Sequence, residues 1–103
     1  MYSVIFITCA NKKEARVIAK VLVKHRVAAC VNIIDNIESI FWWNSKIDKA
    51  KETLLIVKSK KTKLARIIKL VKSRHSYAVP EIIALPIVAV EKSYLRWMNE
   101  SLR

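Results

Sequence analysis

The segment Arg74–Ile87, RHSYAVPEIIALPI, concentrates what the rest of the chain lacks. Both prolines and one of the two histidines of this 103-residue, glycine-free sequence fall within it. Pro80 biases Val79 away from helical backbone, so a helix arriving from the N-terminal side must stop before it. Pro80 then opens a strand, EIIALPIV, where a missing N–H does no harm. Pro86 falls inside that strand and cannot donate to a ladder, which marks an edge strand or a bulge. The segment reads as a helix exit, a rigid turn and an edge strand.

Upstream, Thr62 to His75 carries apolar Leu64, Ile67, Ile68 and Val71 at i, i+3, i+4 and i+7, with Lys63, Arg66, Lys69 and Lys72 opposite. That spacing predicts an amphipathic helix. The same logic predicts a first helix over Glu14–Arg26, buried through Val17, Ile18, Val21 and Leu22, with Asn11 as N-cap. YSVIFITC, residues 2–9, and VAACVNII, residues 27–34, are β-branched enough to be strands. Asp35-Asn36 supplies a bend without glycine. IESIFWW continues extended, Asn44-Ser45 turns, and the chain returns as a strand to Lys60. Residues 27–60 thus form one long, bent hairpin. SYLRWMNESL predicts a short C-terminal helix.

The order β-α-β-β-α-β plus a helix is an α+β, ferredoxin-like pattern in one domain over residues 1–103. It places strands one and three at the centre of the sheet and two and four at its edges.

Net charge is +12, from 20 basic and 8 acidic residues. One reading is a polyanionic partner, nucleic acid or an anionic membrane surface. The other is compositional: the basic residues are mostly Lys, and Arg, the better bidentate phosphate ligand, is scarce. The aromatics lie in the hairpin and last helix, where a single-strand-binding sheet surface is not expected. A solvated basic face is preferred, and nucleic acid is not expected as a partner. No run reaches the roughly 18 apolar residues of a membrane span. No positive n-region precedes the first apolar run, so a cytosolic protein with reduced Cys9 and Cys30 is expected.

Five segments in register resemble the CutA family of divalent-cation tolerance proteins. They are AACVNI (28–33), FWWNSKI (41–47), ETLLIVKSK (52–60), HSYAVPEIIALPI (75–87) and YLRWMNESL (94–102). The resemblance implies a compact homotrimer in which the long hairpin of one subunit extends the sheet of its neighbour. It also implies a link to tolerance of copper and other divalent metal ions. Ile7 and Arg74 stand where some members carry a cysteine and a second histidine.

His75 is the first ligand candidate, for Cu2+ or Zn2+, at a helix C-terminus whose dipole favours a cation. The competing reading is a ring that caps terminal carbonyls. Glu81, just past Pro80, either shares a cation with His75 across the helix-to-strand turn or forms a neutral clamp with it. Cys30 matches a family cysteine and suits a soft ion, yet reads equally as a core thiol, as does Cys9. His25 matches no family motif. Trp43, Lys58 and Tyr77 are further cleft candidates, with Lys58 a possible neutraliser of Glu52 or Glu81. Without glycine there is no GxGxxG or phosphate-binding loop, HExxH is absent, and nothing marks a nucleophile elbow. A binding protein is expected rather than an enzyme. Two alternatives stand beside metal tolerance: a small-molecule-sensing trimer with a ligand cleft between subunits, and a non-specific nucleic-acid binder.

Overall fold

The structure is a computed structural model that describes all of residues 1–103. Its elements are β1 (Tyr2–Cys9), α1 (Lys12–Lys24), β2 (Cys30–Trp43), β3 (Lys46–Lys60), a 3-10 turn (Lys61–Lys63), α2 (Leu64–Arg74), β4 (Ile82–Pro86) and α3 (Lys92–Ser101). The four strands form one antiparallel sheet in the order β2-β3-β1-β4. As expected, β1 and β3 are central and β2 and β4 are edges.

Alternation along β1 explains the layering. Ile5, Ile7 and Cys9 point to one face and are fully buried with Leu55 and Val57 from β3. Ile18 and Leu22 of α1 and Ile67 and Val71 of α2 close over them. Each such aliphatic side chain contributes about 1.5–3 kcal/mol by leaving water. α3 docks separately, through Met98 and Leu102 on Ala29, with Tyr2 and Val90 beside them.

Several local expectations change. The buried stripe of α1 is Ala15, Ile18, Ala19 and Leu22, at i, i+3, i+4 and i+7, whereas Val17 remains 46 % exposed. Small alanines let the helix lie close to the sheet and turn Val17 outward. Residues 27–29 are not strand. Arg26 takes the left-handed conformation (φ 57°) usually left to glycine, and the N–H groups of Val27 and Ala28 return to Leu22 O. That helix-end motif consumes their ladder donors, so β2 starts at Cys30.

Asp35-Asn36 is a bulge within a continuous strand, because Ile34 pairs with Leu54 and Ile37 with Glu52. Asn36 is left-handed (φ 56°), and Asp35 Oδ1 accepts from Thr53 Oγ1 and Asn36 N at 2.9 Å each. These bonds, Thr53's foremost, hold the Asp35 carboxyl below its ordinary range. Pro80 does not open β4; it sits in the loop, and the strand begins at Ile82 and ends on Pro86. Pro86 pairs with Ser3 on an edge strand, and Ile87 N donates to Tyr2 O just beyond it.

Beyond Glu52 the hairpin has no third strand, since β1 pairs with β3 only from Thr53 onward. Its tip is a two-residue turn with Asn44 at φ 49° and Ser45 at φ 62°. Both signs match the right-handed strand twist, but Ser45 sits where glycine is preferred. Ser45→Gly is expected to stabilise the protein by about 0.5–1 kcal/mol, the left-handed strain relieved less glycine's extra chain entropy. Urea unfolding at fixed protein concentration measures it. No gain would show that the tip carries no backbone strain.

Candidate functional site

The exit of α2 is tied to the end of β1 by one side chain. His75 caps the helix, its N–H donating to Val71 O at 2.8 Å. Its imidazole is wholly buried. Nε2 lies 2.7 Å from Thr8 O, and Nδ1 lies 3.0 Å from Tyr77 N. A carbonyl only accepts and a backbone N–H only donates, so Nε2 carries the proton and Nδ1 the lone pair. The ring is neutral and both nitrogens are used. The 3.9 Å approach of Glu14 Oε1 to Nδ1 is thus proximity rather than an ion pair.

Glu14 completes this clamp. Asn11 caps α1 by accepting from Glu14 N at 2.8 Å. The Glu14 carboxylate then accepts from Ala10 N (2.8 Å) and Ser76 N (2.6 Å). Burial opposes its charge, but the backbone donors of Ala10 and Ser76 outweigh it and lower its pKa. Cys9 lies against the same cluster. Burial first, then the charges of Glu14 and Glu52, push its thiol up to about 12. Ligand atoms of Cys9, Glu14 and His75 lie within 4.8 Å of one another, and no other His, Cys, Asp or Glu group gathers three.

Tyr77 links the clamp to a cleft. Its ring packs against His75 at 4.8 Å, tilted by 49°. Its hydroxyl donates to Glu52 Oε2 at 2.9 Å. Burial and that bond push the phenol up to about 12. The cleft, of about 640 Å3, lies between the hairpin and the loop 77–81, with Phe41, Trp43, Asp48, Glu52, Tyr77 and Glu81 on its walls. Burial, then repulsion from Glu52, raises the pKa of Glu81.

The six sequence candidates divide accordingly. Trp43, Tyr77 and Glu81 meet in the cleft, and His75 lies directly behind Tyr77. Cys30 and Lys58 face each other across β2 and β3, where Lys58 Nζ bonds Asn32 Oδ1. They lie five residues along β3 from Thr53, the neighbour of Cys9, so roughly 16 Å from the clamp. Cys30 therefore shares no site with His75, and Lys58 neutralises neither Glu52 nor Glu81. His25 caps its own helix, Nδ1 lying 2.9 Å from Val21 O. Sequence reasoning missed Glu14, Glu52 and Asp48. Asn11-x-x-Glu14 has the spacing of a capping box and was a readable signal for Glu14; nothing local marked the other two.

The sequence description "CutA1 divalent ion tolerance protein" matches residues 3–101. The chain belongs to this family. "Protein CutA 1, chloroplastic" of Oryza sativa is 40 % identical over 100 residues, covering 97 % of this chain and 56 % of that protein. The chain thus spans little more than half of that plant relative. "Divalent-cation tolerance protein CutA" of Thermus thermophilus is 42 % identical over 101 residues, 98 % of either chain. Its solved structure superposes with a TM-score of 0.95 at 42 % identity, covering 98 % of both chains. The structure described as the periplasmic divalent cation tolerance protein CutA of Archaeoglobus fulgidus superposes at 0.97, with 43 % identity and full coverage of both. The ferredoxin-like arrangement and the family expected from the sequence both stand.

The two glutamates make opposite predictions for pH. The folded-state pKa of Glu14 is lowered, so its contribution is complete above the ordinary value of 4.5 and is lost as pH falls below it. Glu81 is raised, so its charge weakens the fold at neutral pH and protonation relieves it. Urea titrations should find Glu14→Gln less stable than wild type at pH 7, with the gap closing in acid. Glu81→Gln should be equal or more stable at pH 7. A pH-independent Glu14→Gln deficit would remove the clamp's electrostatic role.

Proposed function

We propose that this chain acts in tolerance of copper and other divalent cations as a cytoplasmic homotrimer, binding the ion rather than catalysing a reaction. The family supports the role in divalent-cation tolerance. The observation that carries direct binding is the Cys9–Glu14–His75 cluster, whose ligand atoms lie within 4.8 Å. A thiol, an imidazole and a carboxylate fit copper or zinc by type.

His75 and Glu14 are already hydrogen-bonded and the Cys9 thiol holds its proton, which sets the character of the site. An ion must displace the Cys9 proton and the Tyr77 N–H from Nδ1, whereas each Glu14 oxygen accepts one backbone N–H and keeps a lone pair free. Each bond given up costs about 1 kcal/mol. Uptake is accordingly modest in affinity, opens the clamp and releases protons. Calorimetric titration with Cu2+, and with redox-inert Zn2+, should find one saturable ion per subunit in wild type and none in Cys9→Ser or His75→Ala. Equal uptake by wild type and His75→Ala would remove the cluster from the function and leave His75 a purely structural clamp.

Assembly is supported by the face of the sheet that no α1 or α2 side chain covers. Val4, Phe6, Leu54 and Ile56 lie there half-buried, and Ile34, Ile83 and Leu85 are 45, 51 and 43 % exposed. On the hairpin, Ile40, Trp42 and Ile47 are exposed by about 70 %. Edge strands of this length and apolarity are normally covered by another chain. Light scattering at micromolar protein should return a trimer mass. Phe6→Lys, which charges the middle of that face, should shift the mass toward monomer; a wild-type monomer would refute the assembly.

A further inference from the structure

The face of the sheet turned away from α1 and α2 carries two unpaired charges of opposite sign. Glu52, on β3, is only 9 % exposed. Tyr77 donates to its Oε2, and no Lys, Arg or His of the chain pairs with it. Asp48 and Glu81 line the same cleft, so this end of the face is acidic. Lys58, further along β3, lies on the same face, because side chains alternate along a strand. It is half-buried between Val4 of β1 and Cys30 of β2. Its Nζ bonds the neutral side chain of Asn32, and no carboxylate pairs with it. The length of strand between Glu52 and Lys58 is roughly 20 Å, so the two cannot meet within one chain.

Assembly makes both charges costly. The trimer covers this face, and a charge taken out of water destabilises unless it is paired. Each subunit also brings a net charge of +12, so repulsion opposes association unless acids lie at the contact. In a closed three-fold ring each subunit meets the next through two different patches. An acidic patch can therefore face a basic one at every interface.

Three lysines share the face, Lys46, Lys58 and Lys60. The Nζ of Lys60 already lies over its own Tyr2 ring, 5.7 Å from the centroid. Lys46 stands exposed beside Trp43 at the hairpin tip, where water solvates it. Lys58 alone is partly buried with neither an acid nor an aromatic ring as partner. We propose that the partner subunit's Lys58 enters the cleft beside Tyr77 and forms an ion pair with Glu52, once at each interface of the trimer. The cleft, of about 640 Å3 in the single chain, is large enough to take a lysine side chain. This pair rests on the trimeric assembly proposed above and sets its register: apolar surface drives association, and the pair fixes which parts of the two faces meet.

The test is a double-mutant cycle read by urea unfolding of the full-length protein at fixed concentration, with the mass followed by light scattering. Glu52→Gln keeps an acceptor for Tyr77, and Lys58→Met keeps an unbranched stem. Each single change is expected to lower stability, and the two together to cost less than their sum, by about tenfold or more in the unfolding equilibrium. Side chains so far apart in one chain act additively, so coupling reports contact between subunits. Lys58→Glu serves where Glu52→Gln fails to fold. It lowers the net charge, which by itself favours assembly, yet should be less stable than Lys58→Met and shift the mass toward monomer, because it sets a carboxylate against Glu52. Both variants lose the Asn32 bond, so their difference reads the opposing charge. Additive effects, or Lys58→Glu as stable as Lys58→Met, in a trimeric wild type would overturn the ion pair and leave the assembly standing. A monomeric wild type would overturn both.

Discussion

The buried imidazole of His75 holds together two segments that chain connectivity leaves apart. One nitrogen donates to Thr8 O at the end of β1, and the other accepts from Tyr77 N at the start of the loop. The helix exit, the central strand and the loop are thereby fixed to one ring with no water at its surface. Tyr77 can then reach Glu52 on β3, and the loop forms one wall of the cleft. Were the ring charged, Nδ1 would carry a proton and lose its bond from Tyr77. Its neutrality is thus a condition of the geometry.

The clamp and the cleft are chemically opposed neighbours. In the clamp almost every polar atom has a partner, so anything entering must break bonds. In the cleft the Glu52 carboxylate has no counter-charge within the chain, and burial, then repulsion from Glu52, raises the pKa of Glu81 beside it. Stability is concentrated in the first and spent in the second, the usual division between a rigid support and a binding surface.

The absence of glycine moves backbone strain onto residues with side chains. Arg26, Asn36, Asn44 and Ser45 all take left-handed conformations. Asn tolerates this because its short polar side chain bonds locally. Arg26 gains a bond from Nη1 to Ser101 O, at 3.2 Å, which ties the end of α1 to the C-terminal helix. The bulge at Asp35-Asn36 marks where the hairpin leaves the three-stranded part of the sheet, so the turn chemistry also sets the direction of the projecting arm.

Most of the architecture was legible locally. β-branched runs and period-3.6 patterns located four strands and three helices, Asn11 and Asn44-Ser45 marked a cap and a turn, and Pro86 marked an edge. The family segments were readable for the same reason: they are contiguous. Local reading failed where a distant group took over a backbone donor or a face. Leu22 O captured the N–H groups of residues 27 and 28, and the alanines of α1 turned Val17 outward. The site was less legible still. His75, Trp43, Tyr77 and Glu81 were named from the sequence, but Cys30 was joined to them wrongly, because membership in a motif carries no distance. Glu14 comes from α1 and Asp48 and Glu52 from β3, and only antiparallel register and the helix cap bring them to His75 and Tyr77. The sequence by itself determined which segments are helix and strand, since those follow from neighbours a few residues away. Which acids lack a cation, and where they face a shared cleft, was decided by the tertiary structure, because pairing and burial depend on residues tens of positions apart.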